Sequence, residues 1–275
     1  MKAKSAPVAA PAAPVERTLS PFFKRLVQTD FPMPNFDRVG QLPVFYYDNT
    51  ALSVIMTGAT SAIKALLPHP DMHPLELYPG RALVAFNAFE YRDSDIDPYG
   101  EFSISFPISF ARRSWPGLGV LRRWRQDCFE SYVWQLPVTT EIARWGGVEL
   151  YGYPKFVADI DFIRTPQKII CELGVGGTRI LSLEGDCLPN LKAAAPLRYK
   201  TYSMKDGLPL CANIDLNPLQ FAQTTRRNAA RLQLHPGHAI ADTLLTLDLS
   251  SHPLIYQYCP RSELVLFAPR NLNDN

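Results

Sequence analysis

The sequence predicts a mainly β protein (α+β): an antiparallel barrel or highly curved sheet with a few peripheral helices. Three observations point there. Short runs rich in β-branched and aromatic residues recur along the chain, separated by Gly, Pro, Asn and Asp. Long amphipathic helical patterns are few. Residues 101–110 alternate cleanly, putting Glu101, Ser103, Ser105, Pro107 and Ser109 on one face of a strand and Phe102, Ile104, Phe106, Ile108 and Phe110 on the other.

In chain order, residues 1–17 mix Ala, Val and Lys with Pro7, Pro11 and Pro14 and show no core pattern. They read as a disordered tail, not a signal peptide, and residues 18–275 as a single domain. A short helix is expected at 21–27 after Ser20, ended by Phe31-Pro32-Met33-Pro34. Strands follow at 44–47 and 52–56, then a helix at 61–67 stopped by Pro68. The apolar run 82–91 suits a buried strand, and the polar turn 92–100 delivers Glu101. Next comes an arginine-rich segment, 111–125, holding Arg112, Arg113, Arg122, Arg123 and Arg125 with Trp115 and Trp124. It reads as a solvated insertion; the alternative is an anion site or an RNA groove. A helix is expected around 139–144, with Gly146-Gly147 turning the chain. Residues 157–162 alternate as a half-buried strand does. Later strands are expected at 168–173, 179–184, 199–204, 210–214, 230–234, 244–249, 253–258 and 263–268. Gly174-Val175-Gly176-Gly177 lacks the third glycine of a phosphate loop and reads as a hairpin turn.

Composition narrows the function. A chain of 275 residues, 47% hydrophobic, can bury a sizeable core. Its net charge of +2 argues against a nucleic-acid or membrane-surface binder, so the expected partner is a small molecule. Cys128, Cys171, Cys187, Cys211 and Cys259 are odd in number and never spaced as Cys-x-x-Cys, which reads as reduced thiols in a cytoplasmic protein. No apolar run approaches the roughly 18 residues of a membrane helix. Proline and glycine inside His235-Pro236-Gly237-His238 deny the helical spacing of a zinc pair, so no metal site is expected. A Gly-x-Ser-x-Gly elbow does not occur.

The stretch with chemical content is Glu149-Leu150-Tyr151-Gly152-Tyr153-Pro154-Lys155-Phe156. An ammonium flanked by Tyr153, Pro154 and Phe156 would have to leave water, which favours the neutral, nucleophilic amine. The competing reading is that Lys155 ends a turn, its stem on the rings and its head in solvent. Glu149 either reaches the same pocket to trade protons or pairs with Arg144.

Gly147-Val148-Glu149-Leu150-Tyr151-Gly152-Tyr153-Pro154-Lys155 resembles the signature of the acetoacetate decarboxylase family, in which a Gly-Arg-Glu segment leads to an aromatic-Pro-Lys whose lysine forms a Schiff base. Tyr99-Gly100-Glu101-Phe102-Ser103-Ile104-Ser105-Phe106-Pro107-Ile108-Ser109-Phe110 is similar to the family strand carrying an active-site glutamate, which falls on Glu101. Residues 46–70 follow the family's N-terminal order, and the resemblance covers about 40–268. It implies a cofactor-independent Schiff-base lyase with Lys155 and Glu101 catalytic, a curved β-barrel fold and self-assembly as a homo-oligomer. Departures bear on the substrate. Val148 replaces the usual arginine, Phe156 stands where a second lysine is usual, and Asn49 and Asn87 fall at the family's arginine and second acidic positions. Asn49, Asn87, Glu149, Tyr153 and Phe156 are the expected substrate contacts, with Arg112 or Arg113 as a replacement carboxylate anchor. The first expectation is decarboxylation of a β-keto acid. The second is aldol or dehydration chemistry on a pyruvate-like or larger oxo acid, and a third is a non-catalytic binder of the same fold.

Overall fold

The computed structural model describes residues 19–273; the expected tail at 1–17 lies outside them. Its elements begin with a hairpin, β1 (Thr29–Met33) and β2 (Arg38–Leu42), followed by β3 (Val44–Ala59), α1 (Thr60–Ala65), β4 (Met72–Pro74), β5 (Glu76–Tyr78), β6 (Arg81–Ser94) and β7 (Tyr99–Phe110). Then come α2 (Leu118–Gln126), β8 (Cys128–Gln135), α3 (Glu141–Tyr151), β9 (Asp159–Arg164), β10 (Lys168–Val175) and β11 (Thr178–Asp186). The chain continues with β12 (Leu197–Lys205), β13 (Leu208–Thr224), β14 (Ala230–Leu234), α4 (Ala239–Leu245), β15 (Ile255–Leu266) and β16 (Arg270–Asn271).

Seven strands close into a barrel in the order β7-β8-β12-β13-β15-β3-β6, the ring being completed by the β6–β7 ladder. Six of the contacts are antiparallel and one, β8 with β12, is parallel. The parallel pair is a geometric necessity. A ring of strictly alternating directions closes only with an even number of strands, so an odd ring needs one pair that runs the same way. The intervening α3 and β9–β11 supply the long crossover that a parallel pair requires.

One face of every barrel strand points inward. Tyr46, Tyr91, Tyr99, Val133, Tyr199, Leu216 and Leu264, one from each strand, join a single cluster with Ala143 and Tyr151 of α3, which plugs one end. Outside, Leu52, Val54, Phe86, Phe102 and Phe106 merge with Cys171, Leu173, Leu181 and Leu183 of a four-stranded antiparallel sheet, β14-β11-β10-β9. Glu101, Ser103 and Ser105 therefore face the lumen, as the alternation of β7 requires.

Several expected elements differ. Residues 44–47 and 52–56 belong to one 16-residue strand, because bulges near Asp48 carry the ladder across the polar gap. Residues 21–25 form turns instead of a helix, held by Phe23 packed on Phe45 and Tyr47 at 4.8 and 5.2 Å between ring centroids. The proline-punctuated stretch forms the β1–β2 hairpin, with Pro32 in a two-stranded sheet that tolerates a missing donor. The arginine-rich segment contains α2, whose Arg123 pairs with Glu130 at 2.7 Å. Gly146-Gly147 does not turn the chain: α3 runs through both to Tyr151 and stops at left-handed Gly152. The expected strand 244–249 is instead the end of α4 and the chain beyond it; His238 caps that helix, its Nδ1 accepting from the Ile240 amide at 3.2 Å. The Gly176-Gly177 hairpin turn is present, both glycines having positive φ. All five cysteines are free, and no described helix is long and apolar enough to cross a membrane.

The fully buried Leu183 binds the outer sheet to the barrel. Leu183→Ala is expected to cost about 2–5 kcal/mol of stability, read from the shift of the urea unfolding midpoint.

Candidate active site

Lys155 does not lie on a named strand; short extended segments hang it over the lumen. Phe102 N–H donates to the Pro137 carbonyl at 3.0 Å, Val138 N–H to Phe156 at 2.9 Å, and Ala158 N–H to Val138 at 2.9 Å. Residues 136–139 thus lie between the start of β7 and the segment after α3, a ladder that sets Lys155 against Glu101. Alternation then turns Lys155 into the lumen and Phe156 outward, onto the cluster shared with the outer sheet. Gly152 makes the turn possible. It adopts φ +60°, and a Cβ there would meet the Met204 carbonyl oxygen at 2.7 Å.

The lysine's path runs along α3. A Cβ on Gly147 would lie 2.3 Å from Lys155 Cδ and 2.5 Å from Cε, so the missing side chain is the slot for the lysine stem. At its end, Lys155 Nζ donates to Glu101 Oε2 at 2.7 Å, with the two side chains only 5% and 9% exposed. Tyr91 donates its hydroxyl to Glu101 Oε1 at 3.1 Å, and the Tyr46 and Tyr99 hydroxyls lie 3.1 Å apart. The ammonium stands 5.6 Å from the Tyr99 ring centroid, within cation–π range. Burial first, and the Glu101 carboxylate second, push the phenols of Tyr46, Tyr91 and Tyr99 far above their ordinary range, so each remains a protonated donor. A void of about 30 Å³ sits on the α3 side, bounded by Tyr46, Tyr151, Tyr153 and Lys155.

The expected contacts divide. Asn49 is fully buried in the lumen, but its amide is committed: Nδ2 donates to the Ser262 carbonyl at 2.9 Å and Oδ1 accepts from the Ser262 hydroxyl at 2.6 Å. Asn87 also faces the lumen and accepts from Ser53 Oγ at 2.7 Å. Tyr153 is buried, stacked on Tyr151, with its hydroxyl 2.5 Å from Thr201 Oγ1. Glu149 does not reach the pocket: it lies on the exposed side of α3, and Arg144 pairs with Glu141 instead. Arg112 and Arg113 are exposed beyond the far end of β7, about 30 Å of strand from Glu101 at ~3.4 Å per residue, and cannot anchor a ligand at Lys155. Phe156 faces away. Among the described residues, no three His, Cys, Asp or Glu side chains gather as a metal site.

Sequence reasoning missed the three tyrosines and Gly147. Tyr99 had a signal, standing two residues before Glu101 and so on the same strand face, and Tyr91 is its partner across the ladder. For Gly147, buried in mid-helix, local sequence carries no comparable mark.

A closed barrel with a buried lysine–carboxylate pair in its lumen defines a class of β-barrel protein with an internal polar centre. A family model of acetoacetate decarboxylase (ADC) matches residues 31–208, and the chain belongs to that family. Among solved structures, an acetoacetate decarboxylase matches with a TM-score of 0.59 at 18% identity, over 84% of this chain and 89% of that one. The acetoacetate decarboxylase from Legionella pneumophila subsp. pneumophila str. Philadelphia 1 gives 0.60 at 16%, over 84% and 87%. The enduracididine biosynthesis enzyme MppR, complexed with the condensation product of pyruvate and imidazole 4-carboxaldehyde, gives 0.58 at 14%, over 84% and 89%. At these identities the likeness is one of fold. No curated protein matches the chain.

Two outcomes are expected. Gly147→Ala should keep α3, since alanine favours a helix by about 1 kcal/mol over glycine, yet expel Lys155 from its slot. Acetylation by an N-hydroxysuccinimide ester, located by peptide mass spectrometry, should rise at Lys155 with the circular dichroism unchanged. The raised phenols also set an alkaline limit. A folded pKa above the unfolded value of about 10 gives stability that is complete below pH 10 and is lost as pH rises beyond it, because the unfolded chain ionises first. Urea midpoints should therefore hold up to about pH 10 and fall above it.

Proposed function

We propose that the chain is a Schiff-base carbon–carbon lyase in which Lys155 is the nucleophile and Glu101 moves the protons. The observation that carries this reading is the 2.7 Å contact between Lys155 Nζ and Glu101 Oε2 inside the barrel. A structural ion pair gains nothing from such burial, since taking two charges out of water costs several kcal/mol per ion on the order given by real proteins. For chemistry the arrangement is useful. One proton shift along the hydrogen bond leaves a neutral amine beside a neutral carboxylic acid, and the amine then attacks a carbonyl carbon.

Glu101 next returns the proton to the carbinolamine oxygen, which leaves as water and gives an iminium on Lys155. The iminium accepts the electron pair of the adjacent carbon–carbon bond, forming an enamine. Protonation of the enamine at carbon and hydrolysis by water release the product and restore the lysine. Tyr91 fixes the glutamate through Oε1 and leaves Oε2 to the amine. Carbon dioxide is the leaving group when the substrate is a β-keto acid, the chemistry named for the family. A carbonyl fragment leaves instead when the bond is that of an aldol. Asn49 and Asn87, both uncharged and one wholly committed to Ser262, favour the second course, because neither neutralises a carboxylate.

Incubation with acetoacetate, pyruvate or acetone and sodium borohydride should add the mass of a reduced imine to the wild-type chain and add nothing to Lys155→Ala. Glu101→Gln should slow the labelling by about 10²–10⁴-fold while the chain stays folded. Equal labelling of wild type and Lys155→Ala would rule out Lys155 as the nucleophile.

A further inference from the structure

The lumen beyond Glu101 carries an ordered pattern that the lyase reading does not use. The strand register sets Ser103 opposite Asn87, Asn87 opposite Ser53, Ser53 opposite Gln257, and Gln257 opposite Gln223. These five side chains form one continuous row across β7, β6, β3, β15 and β13. All five are uncharged, and each both donates and accepts hydrogen bonds. Ser53 donates to Asn87 at 2.7 Å and Gln257 to Gln223 at 3.1 Å, so the row is preorganised. It is also graded from inside to outside: Ser103 is buried, Ser53, Asn87 and Gln257 are half-buried, and Gln223 is exposed. The buried end lies two residues along β7 from Glu101, on the same face.

Flanking rows isolate this one. On the Glu101 side, Phe89, Ala51 and Cys259 stand in register, and on the other side Ala85, Ile55 and Ile255 follow Ser105. In the three rows Glu101 is the single charged residue, and its charge is already matched by Lys155. A substrate carboxylate entering here would leave the site with an unpaired negative charge, and a buried charge without a partner is strongly disfavoured. Hydroxyl groups fit instead, since a row of amides and hydroxyls can satisfy both the donor and the acceptor of each.

We infer that the substrate of this site is an uncharged, hydroxylated ketone or aldehyde, its carbonyl at Lys155 and its hydroxyls along Ser103, Asn87, Ser53 and Gln257. The inference rests on the Schiff-base reading and deepens it. The matching reaction is retro-aldol cleavage or its reverse. The β-hydroxyl gives its proton to Glu101 while the electron pair of the bond between the α- and β-carbons moves into the iminium. An aldehyde departs, and the Lys155 enamine takes that proton back at carbon before water hydrolyses the imine.

Reductive trapping with sodium cyanoborohydride over a concentration series separates the possibilities, using dihydroxyacetone, acetone, acetoacetate and pyruvate as probes. Dihydroxyacetone should label Lys155 at a concentration about tenfold or more below that of either oxo acid, the worth of one or two hydrogen bonds. Asn87→Leu and, separately, Gln257→Leu should raise the dihydroxyacetone requirement about tenfold relative to that of acetone, with the far-UV circular dichroism unchanged to show that the variants are folded. Labelling by acetoacetate or pyruvate at equal or lower concentration than dihydroxyacetone would overturn the inference while leaving the Schiff-base reading intact. Dihydroxyacetone labelling that is indifferent to both substitutions would overturn it as well. No label from any of the four probes on the folded wild-type chain would overturn the Schiff-base reading, and the inference with it.

Discussion

The contact between Lys155 and Glu101 is the constraint around which the rest of the molecule is arranged. Two opposite charges under a tenth exposed are a poor way to stabilise a fold, because well-packed apolar residues of the same volume often do as well or better. Holding them together takes four separate features. Gly147 vacates the space for the lysine stem, Gly152 turns the chain out of α3, the 136–139 segment ladders the lysine to the start of β7, and Tyr91 pins the free carboxylate oxygen. Each is a local departure from what packing alone would choose, such as glycine in mid-helix and a phenol donating inside a barrel. Departures that converge on one pair mark a site more firmly than any of them singly.

How much of this the sequence made legible depends on the range of the forces involved. Alternation over 101–110 is a nearest-neighbour pattern, and it correctly set Glu101, Ser103 and Ser105 on one face and the phenylalanines on the other. Lysine among aromatics was legible for the same reason: Tyr153, Pro154 and Phe156 are its chain neighbours. What failed was long-range or a matter of competing propensities. The Asp48 gap looked like a strand break because the bulges that bridge it are set by β6, some forty residues away on the order of the loop between them. Gly146-Gly147 looked like a turn because glycine is a weak helix former, yet tertiary packing against Lys155 selects it. Arg112 and Arg113 follow the Glu101 strand in sequence, but an extended chain carries them to its opposite end.

The barrel explains why the buried ion pair lies in the lumen and not on the surface. Closing seven strands turns the polar face of β7 inward, where an aqueous side chain would otherwise be wasted, and the outer sheet covers the apolar face. The fold is shared with acetoacetate decarboxylases and with MppR, and a shared fold does not by itself fix a reaction. On the proposed reading, what distinguishes this chain lies at the lumen-facing positions. Here these are apolar residues such as Val133, Leu216 and Leu264 together with phenols, amides, hydroxyls and a single matched ion pair, while Phe156 faces the outer cluster. With that pair matched internally, the lumen as described carries no unpaired charge among the three rows around Glu101.

On the proposed reading, the Lys155 amine and the Glu101 carboxylate act together on a carbonyl compound. That joint action is tested most directly by the exchange of acetone methyl hydrogens for deuterium in heavy water, followed by proton NMR. Acetone needs no anchor, and exchange through an enamine requires both an imine and a proton carrier. Exchange is expected well above the buffer rate with the wild-type chain, with loss of it in Lys155→Ala and a large reduction in Glu101→Gln. Exchange at the buffer rate with the wild-type chain, or catalysed exchange that survives in Lys155→Ala, would contradict the proposed reading.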